Sequence, residues 1–233
     1  MVWQPEVTLA ESNAVRELAG TLEKITGASF VVQEATGSSV PERAIIVGPG
    51  AAARAVFPEV PLDKLGPDEL VMKVQGGRLL LAGGRPRGTL YAVSRFLQEQ
   101  YGVRWWAPWA ATIPARRSLR VADVDVREQP AFEYRDPYWS AAFDPLWKVH
   151  NCANGGSRLV PEDLGGCVQY KGFCHTFYPA NLKAPLADAA SAYRSYLLGT
   201  VEFNPDCDIW VAPAGNKSIK AIYVDRIFLV PAR

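Results

Sequence analysis

The stretch that decides the fold is residues 77–121, GRLLLAGGRPRGTLYAVSRFLQEQYGVRWWAPWAATIPARRSLRV, which holds the clearest hydrophobic periodicity of the chain. A run of apolar residues at 79–82 predicts a strand that ends at a pair of glycines. The next apolar residues recur at the i, i+3, i+4 and i+7 spacing of one helix face, and Gly102 stands where a glycine ends a helix. We therefore predict a strand, a turn and a helix over residues 85–101, followed by a short aromatic strand. The apolar positions of the helix are Leu90, Tyr91, Val93, Phe96 and Leu97.

The segments on either side of this stretch continue the alternation of strands and helices. Short apolar runs bounded by glycine and proline predict strands, and a cap at Ser12 predicts a helix that Gly27 ends. One pair of strands is joined by a Gln-Gly-Gly turn as a hairpin, so the sheet contains antiparallel as well as parallel neighbours. The fold class predicted for this part of the chain is α/β with a mixed sheet. The predicted strands are 2–9, 30–32, 44–47, 69–74, 78–82, 103–106, 121–129 and 132–135, and the other predicted helices are 12–25 and a brief one before Pro58.

Residues 48–53, GPGAAA, follow a predicted strand and formally fit the G-x-G-x-x-G/A pattern of dinucleotide-binding proteins. In that pattern, backbone N–H groups at a helix N-terminus hold a pyrophosphate. Pro49 removes one of those N–H groups here, and no strand ending in an acidic residue follows at the expected distance. A dinucleotide-binding domain is therefore a disfavoured interpretation, and we expect no cofactor.

Five segments, taken in order and spacing, carry a resemblance to a known family. They read ELAGTLEKITG, AIIVG, GGRPRGTLYAVSRFLQEQYGVRWWAP, FEYRDPYW and GFCHTFY. Together they resemble the N-terminal α/β domain of α-glucuronidase-like glycoside hydrolases of family 67, and bacterial proteins that carry the domain of unknown function 4838. The resemblance covers most of residues 8–180. It implies a carbohydrate-active protein in which the α/β domain accompanies a catalytic barrel.

The resemblance also implies a division of the chain into three parts. Residues 1–128 are expected to form the α/β domain, residues 129–180 the start of a (β/α) barrel, and residues 181–233 a β-rich tail similar to the end of an accessory β-sandwich. A closed barrel typically needs about 200 residues or more, and only about 50 follow Pro179. We therefore expect the barrel to be incomplete in this chain.

Substrate-binding residues are expected at the ends of the two barrel-like strands, 132–139 and 172–177, because barrel active sites lie there. The polar and aromatic side chains at these ends are Arg135, Asp136, Trp139 and His175, and we predict that they contact a sugar. No catalytic residue is assigned, since the two carboxylates of glycoside hydrolysis come from later strands in related barrels. Two functional hypotheses remain: a glycoside-hydrolase-like protein without its own acid/base pair, and a non-catalytic carbohydrate-binding or domain-packing module.

Composition narrows the range of partners. A formal net charge of +1 over 233 residues lacks the basic excess that nucleic-acid binding needs, and no apolar run reaches transmembrane length. The N-terminus shows no signal-peptide pattern, so we expect a soluble chain with carbohydrate, and neither nucleic acid nor membrane, as its partner. The four cysteines match no zinc or redox spacing, and we expect free thiols and no metal; a site built on Cys152, Cys167, Cys174 and His175 is the disfavoured alternative.

Two further groups of side chains each allow two interpretations. Arg85 and Arg87 flank the turn before the long helix, where they either hold an anion or pair with nearby carboxylates; pairing is favoured. Trp105, Trp106 and Trp109 either stack on a sugar or fill the core. We expect the first two in the core because they lie in a strand, and the third to be exposed beyond Pro108.

Overall fold

The computed structural model describes residues 1–4, 6–35, 39–156 and 159–168. These residues belong to one compact unit. His175, the second barrel-like strand and the predicted β-rich tail lie outside the described residues. The predicted division into three parts at 128/129 and 180/181 stays a prediction.

A six-stranded mixed sheet is the centre of the fold, and it confirms the predicted α/β class. Its spatial order is β2-β1-β3-β5-β4-β8, parallel from β2 to β5 and antiparallel at β4 and β8. Strands β6 and β7 form a separate two-stranded hairpin. The strands are β1 Val2–Trp3, β2 Gln33–Glu34, β3 Ala44–Val47, β4 Leu70–Gln75, β5 Arg78–Gly83, β6 Arg104–Ala107, β7 Ala110–Thr112 and β8 Asp125–Glu128. The helices are α1 Leu9–Thr26, α2 Ala51–Val56, α3 Gly88–Tyr101 and α4 Pro145–His150, with short 3-10 turns at Leu62–Lys64, Ser140–Phe143 and Glu162–Leu164.

Helices cover both faces of this sheet. Successive apolar side chains of β5 point to opposite faces, so each face can pack against a helix. Leu79 and Leu81 face α1 and α3, while Leu80 and Ala82 face α2 and Phe57. Helix α3 supplies the densest apolar face, and its five predicted apolar positions are all buried. Each such side chain contributes about 1.5–3 kcal/mol when buried. The core therefore rests on the periodicity that identified α3 in the sequence.

Helix α1 begins one turn earlier than predicted. Thr8, and not Ser12, is its N-cap: the Thr8 hydroxyl accepts a hydrogen bond from the Glu11 N–H, and the Glu11 carboxylate accepts one from the Thr8 N–H, at 3.1 and 2.9 Å. This is the Thr-x-x-Glu capping box, which satisfies two backbone donors at once. Gly27 ends the helix in the left-handed conformation, as predicted.

Several other predicted elements differ from the structure. The strand predicted over residues 2–9 is only two residues long, and as β1 it lies inside the sheet, between β2 and β3. No strand forms at 30–32, and β2 follows directly at Gln33–Glu34. No strand forms at 132–135, where the chain is held by side-chain contacts instead. None of the helices in the described part of the chain has the length and apolar character to cross a membrane.

Trp106 is a further correction, since it is 61% exposed and not in the core. Successive residues of a strand point to opposite sides. Trp105 faces inward and stacks on His150 with ring centroids 4.1 Å apart, so Trp106 must face outward. Trp109, in the turn of the same hairpin, is 80% exposed, as expected.

Candidate functional site

Three of the four residues predicted to bind a sugar, Arg135, Asp136 and Trp139, lie in residues 129–156 and 159–168, which we call the wrapping segment. Asp68, in the turn before β4, fastens this segment to the sheet. Its carboxylate accepts hydrogen bonds from Arg135 at 2.9 Å and from Asn154 at 2.5 Å, and it pairs with Arg87 at the start of α3. The Asp68 side chain is only 12% exposed. Four distant parts of the sequence therefore meet at one buried carboxylate.

Arg135 is bound by the protein at each nitrogen of its guanidinium group. Besides its contact with Asp68, Nε donates to the Cys152 carbonyl and Nη1 to the Phe132 carbonyl, both at 2.7 Å. The group also lies over the Tyr91 ring, 5.8 Å from its centroid. These contacts give Arg135 the local role of holding the wrapping segment in place.

Asp136 points away from solvent. It forms an ion pair with Lys148 at 3.0 Å in which both side chains are fully buried, and it accepts a hydrogen bond from the Tyr134 hydroxyl at 2.8 Å. Lys148 donates a further bond to the Gly155 carbonyl at 2.7 Å. A Cβ at Gly155 would overlap the Asp136 side chain. A buried charge is costly unless it is paired and hydrogen-bonded, and here each partner is both paired and hydrogen-bonded.

Trp139, in contrast, reaches the surface. Its ring meets the Trp147 ring edge-on, with centroids 5.9 Å apart and planes at 84°. The Trp147 indole N–H donates to the Trp106 carbonyl at 3.1 Å. We call Trp106, Trp139 and Trp147 the aromatic corner; Trp139 is 49% exposed and Trp147 half-buried. Tyr138, next to it in the chain, is also exposed.

Local sequence positions Trp147 within the corner. Asp144 caps α4 by accepting a bond from the Trp147 N–H at 2.8 Å, and Pro145 occupies the first turn. Gln98 of α3 donates to the His150 carbonyl at 2.7 Å, and the His150 ring lies 3.1 Å from the Glu17 carboxylate of α1. Helix α4 is thereby held against both long helices.

Among the described carboxyl groups whose pKa is shifted, none has the raised pKa that a general acid needs. A hydrogen bond from His150 lowers the pKa of Glu17. Burial opposes ionisation of Glu69, but hydrogen bonds from Arg127 and the Gly66 N–H outweigh it and lower the pKa of that carboxyl. A general acid at neutral pH needs a raised pKa instead. Burial also raises the pKa of the Cys152 thiol to about 11, which makes it a poor nucleophile.

The structure also shows the contacts of the GPGAAA segment and of the turn that carries Arg85 and Arg87. In the GPGAAA segment, a Cβ at Gly50 would meet the Gln4 side chain at 2.5 Å, and Gln4 accepts a bond from the Ala52 N–H at 3.0 Å. The chain itself thus fills the space that a pyrophosphate would occupy. Arg85 pairs with the buried Glu11 carboxylate at 2.9 Å, so the favoured interpretation of Arg85 and Arg87 as ion-pair partners is confirmed.

The structure brings Arg135 and Asp136 into adjoining contacts behind the surface and leaves Trp139 at the surface. His175 lies outside the described residues, and sugar binding by these four residues stays a prediction. Sequence reasoning missed Asp68, Asn154 and Lys148, which have no local signal because their partners are distant in the chain. In the part of the chain that the structure describes, no group of His, Cys, Asp or Glu side chains is arranged to hold a metal ion.

The described fold is similar to that of solved structures. No family model and no curated protein matches the chain. A solved structure that resembles it is a family GH115 4-O-methyl-α-glucuronidase described as specific for decorated arabinogalactans, with 19% sequence identity and a TM-score of 0.44. The alignment covers 57% of this chain and 18% of that enzyme, so the chain spans less than a fifth of the enzyme's length.

Proposed function

We propose that this chain is a carbohydrate-binding α/β domain of glycoside-hydrolase type, which binds sugar at the aromatic corner and does not cleave it. The observation that carries the proposal is the exposure of Trp106 and Trp139, both of which contact Trp147. Sugar recognition requires an aromatic face for the C–H side of a pyranose and directed partners for its hydroxyls. An exposed and hydrogen-bonded indole group meets the first requirement at low entropic cost.

The predicted binding residues take different roles in this proposal. Trp139 contacts the sugar directly. Arg135 and Asp136 position Trp139 from behind, because their side chains bind Asp68 and Lys148 and fix the backbone that leads to the indole. His175 stays a predicted sugar contact, on the resemblance of residues 172–177 to a barrel strand.

We propose that the chain does not cleave sugar because the nearby carboxylates are engaged in other contacts. Hydrolysis generally uses two carboxylates about 5–10 Å apart across the scissile bond. Among the described residues of the wrapping segment and its contacts, Asp68 and Asp136 each neutralise a cation inside the protein, and Asp144 caps a helix. Recruiting one of them would break the contacts that build the site. We expect aryl glycosides and glucuronyl oligosaccharides to be hydrolysed no faster than background.

A second candidate function, a domain-packing module, is favoured by one observation. Trp109 at the hairpin turn is 80% exposed, and exposed aromatic patches also mark protein interfaces. In that case the same surface would be covered by protein and would show no saturable response to any sugar.

Titration of neutral oligosaccharides and uronic acids, followed by tryptophan fluorescence and calorimetry, separates these functions. We expect saturable binding of at least one oligosaccharide, weakened about fivefold or more in Trp139→Ala, since loss of one stacked ring removes about 1 kcal/mol or more. Phe132→Ala is the matched control, because Phe132 is exposed but lies outside the aromatic corner. Absence of sugar binding, or equal binding by both variants, would contradict the proposal.

A further inference from the structure

Strand β8 forms one edge of the six-stranded sheet, and part of its backbone points away from the sheet. Among the described strands, only β4 pairs with it. The Val74 N–H donates to the Val124 carbonyl at 2.8 Å, in the same register that places Asp125 opposite Lys73. Hydrogen-bonded pairs alternate with non-bonded pairs along an antiparallel ladder. The N–H and C=O groups of Asp125 and Arg127 therefore point outward, and no described residue binds them.

The side chains of the same two residues carry opposite charges. Asp125 and Arg127 are two residues apart in β8, so they share one face of the sheet, and both are exposed. Natural edge strands are commonly protected by charged side chains, which repel another edge of the same kind. An edge with one charge of each sign lacks this protection, because a second copy can place unlike charges opposite each other.

Charge also selects the register in which a second β8 would pair. Only residues whose backbone points outward can form the hydrogen-bonded pairs of a new ladder. A register that pairs Asp125 with Asp125, or Arg127 with Arg127, places like charges directly opposite, which is destabilising. The antiparallel register centred on Val126 instead pairs Asp125 of each copy with Arg127 of the other. Each such pair joins unlike charges and exchanges both of its backbone hydrogen bonds.

We propose that two copies of this chain associate by antiparallel pairing of β8 with β8 in the register centred on Val126. The sheet of one copy then continues into the sheet of the other. This two-fold contact is closed, because the β8 edge of each copy is covered by its partner. Strand β8 contains four residues, so the contact is small, and we expect a dissociation constant of about 100 μM. The association does not depend on carbohydrate binding.

Sedimentation velocity and light scattering of the full chain, from about 5 μM to about 1 mM, test the association. We expect the mean mass to rise from that of the monomer towards twice that value. Hydrogen exchange tests the edge without any substitution: the amides of Asp125 and Arg127 should exchange about threefold more slowly at the highest concentration than at the lowest. The Val126 amide, which points towards β4, is the internal control and should not change. A monomer at every concentration, or unchanged exchange at Asp125 and Arg127, would overturn the proposal.

Charge variants test the register. Asp125→Arg and Arg127→Asp each place like charges opposite and should weaken self-association about tenfold. An equimolar mixture of the two variants restores unlike pairs and should recover the dimer. Asp63→Arg is the matched control, because Asp63 is also an exposed, salt-bridged aspartate but lies outside the sheet. Circular dichroism confirms that each variant is folded. Undiminished association of either single variant, or a mixture that stays monomeric, would overturn the assigned pairing.

Discussion

The α/β layer of residues 1–128 and the wrapping segment are stabilised in different ways. Helix α3 buries apolar side chains along most of its length, and each contributes by leaving water. The wrapping segment contains one short α-helix and is fastened mainly by polar contacts, of which those at Asp68 and Lys148 are the most buried. Stability in the first region is spread over many residues. In the second it is concentrated in a few.

The difference has consequences for the candidate site. Trp139 and Trp147 belong to the wrapping segment, while Trp106 belongs to the hairpin that follows α3. The aromatic corner therefore spans the boundary between the two regions. Loss of the polar contacts should separate its rings even where the sheet stays folded, so variants in the two regions should fail differently.

The largest effect is expected in the α/β layer. Leu97→Asp places a carboxylate at a fully buried position of α3, where it finds neither water nor a partner, and should cost more than about 4 kcal/mol. Circular dichroism and thermal melting should show cooperative loss of the whole described fold. Glu99→Ala on the exposed side of the same helix removes only a surface contact with Arg95 and should cost about 0.5 kcal/mol or less. Equal melting of the two variants would contradict the packing of α3.

The next effect concerns Asp68. Asp68→Ala leaves Arg87 and Arg135 without their carboxylate and should cost about 3–5 kcal/mol, as expected when one partner of a buried ion pair is removed. Asp63→Ala is the control, because its pair with Arg54 is exposed and is worth about 1 kcal/mol or less.

The effect of Asp68→Ala should be measured separately in the two regions. Hydrogen exchange should rise first in the wrapping segment, while amides of α3 and β5 stay protected. If Asp68→Ala is as stable as Asp63→Ala, or if both regions open together, the segment is not fastened at this carboxylate.

How well the sequence predicts each region depends on how far apart in the chain its contacting residues lie. Helix α3 with Gly102, and the β4–β5 hairpin with two glycines of positive φ, are specified by neighbouring residues and were predicted closely. The contact between Asp68 and Asn154 joins residues 86 apart, and nothing in the spacing of either residue indicates the other. The strand predicted at 132–135 does not form for the same reason. Arg135 makes polar contacts with residues distant in the chain, and these contacts outweigh the alternating pattern of the segment.

A smaller effect on stability is expected from two glycine substitutions, one at a closely packed position and one where only conformational entropy changes. Gly155→Ala should cost about 1–3 kcal/mol, because the added Cβ overlaps the buried Asp136 side chain and must displace it from Lys148. Gly20→Ala is the opposite control: it lies inside α1 with nothing within 4 Å of a new Cβ, and it should stabilise by about 0.5–1 kcal/mol. Urea unfolding of the two variants measures both changes. A change of the same sign at both positions would argue against close packing at Gly155.

The smallest effect tests the contact between α4 and α1 through its pH dependence. The pKa of Glu17 is lowered in the folded state, chiefly by the hydrogen bond with His150, from an ordinary value of 4.5. A carboxyl with a lowered folded pKa stabilises the protein above its unfolded pKa, and this contribution is lost as pH falls through the folded value. Glu17→Gln should therefore cost about 0.5 kcal/mol near pH 6, a small figure because solvent screens the partly exposed carboxylate. The gap to the parent chain should close as pH falls below about 4.5. A gap for Glu17→Gln that is constant or widens at low pH would mean that the pair does not hold α4 to the α/β layer.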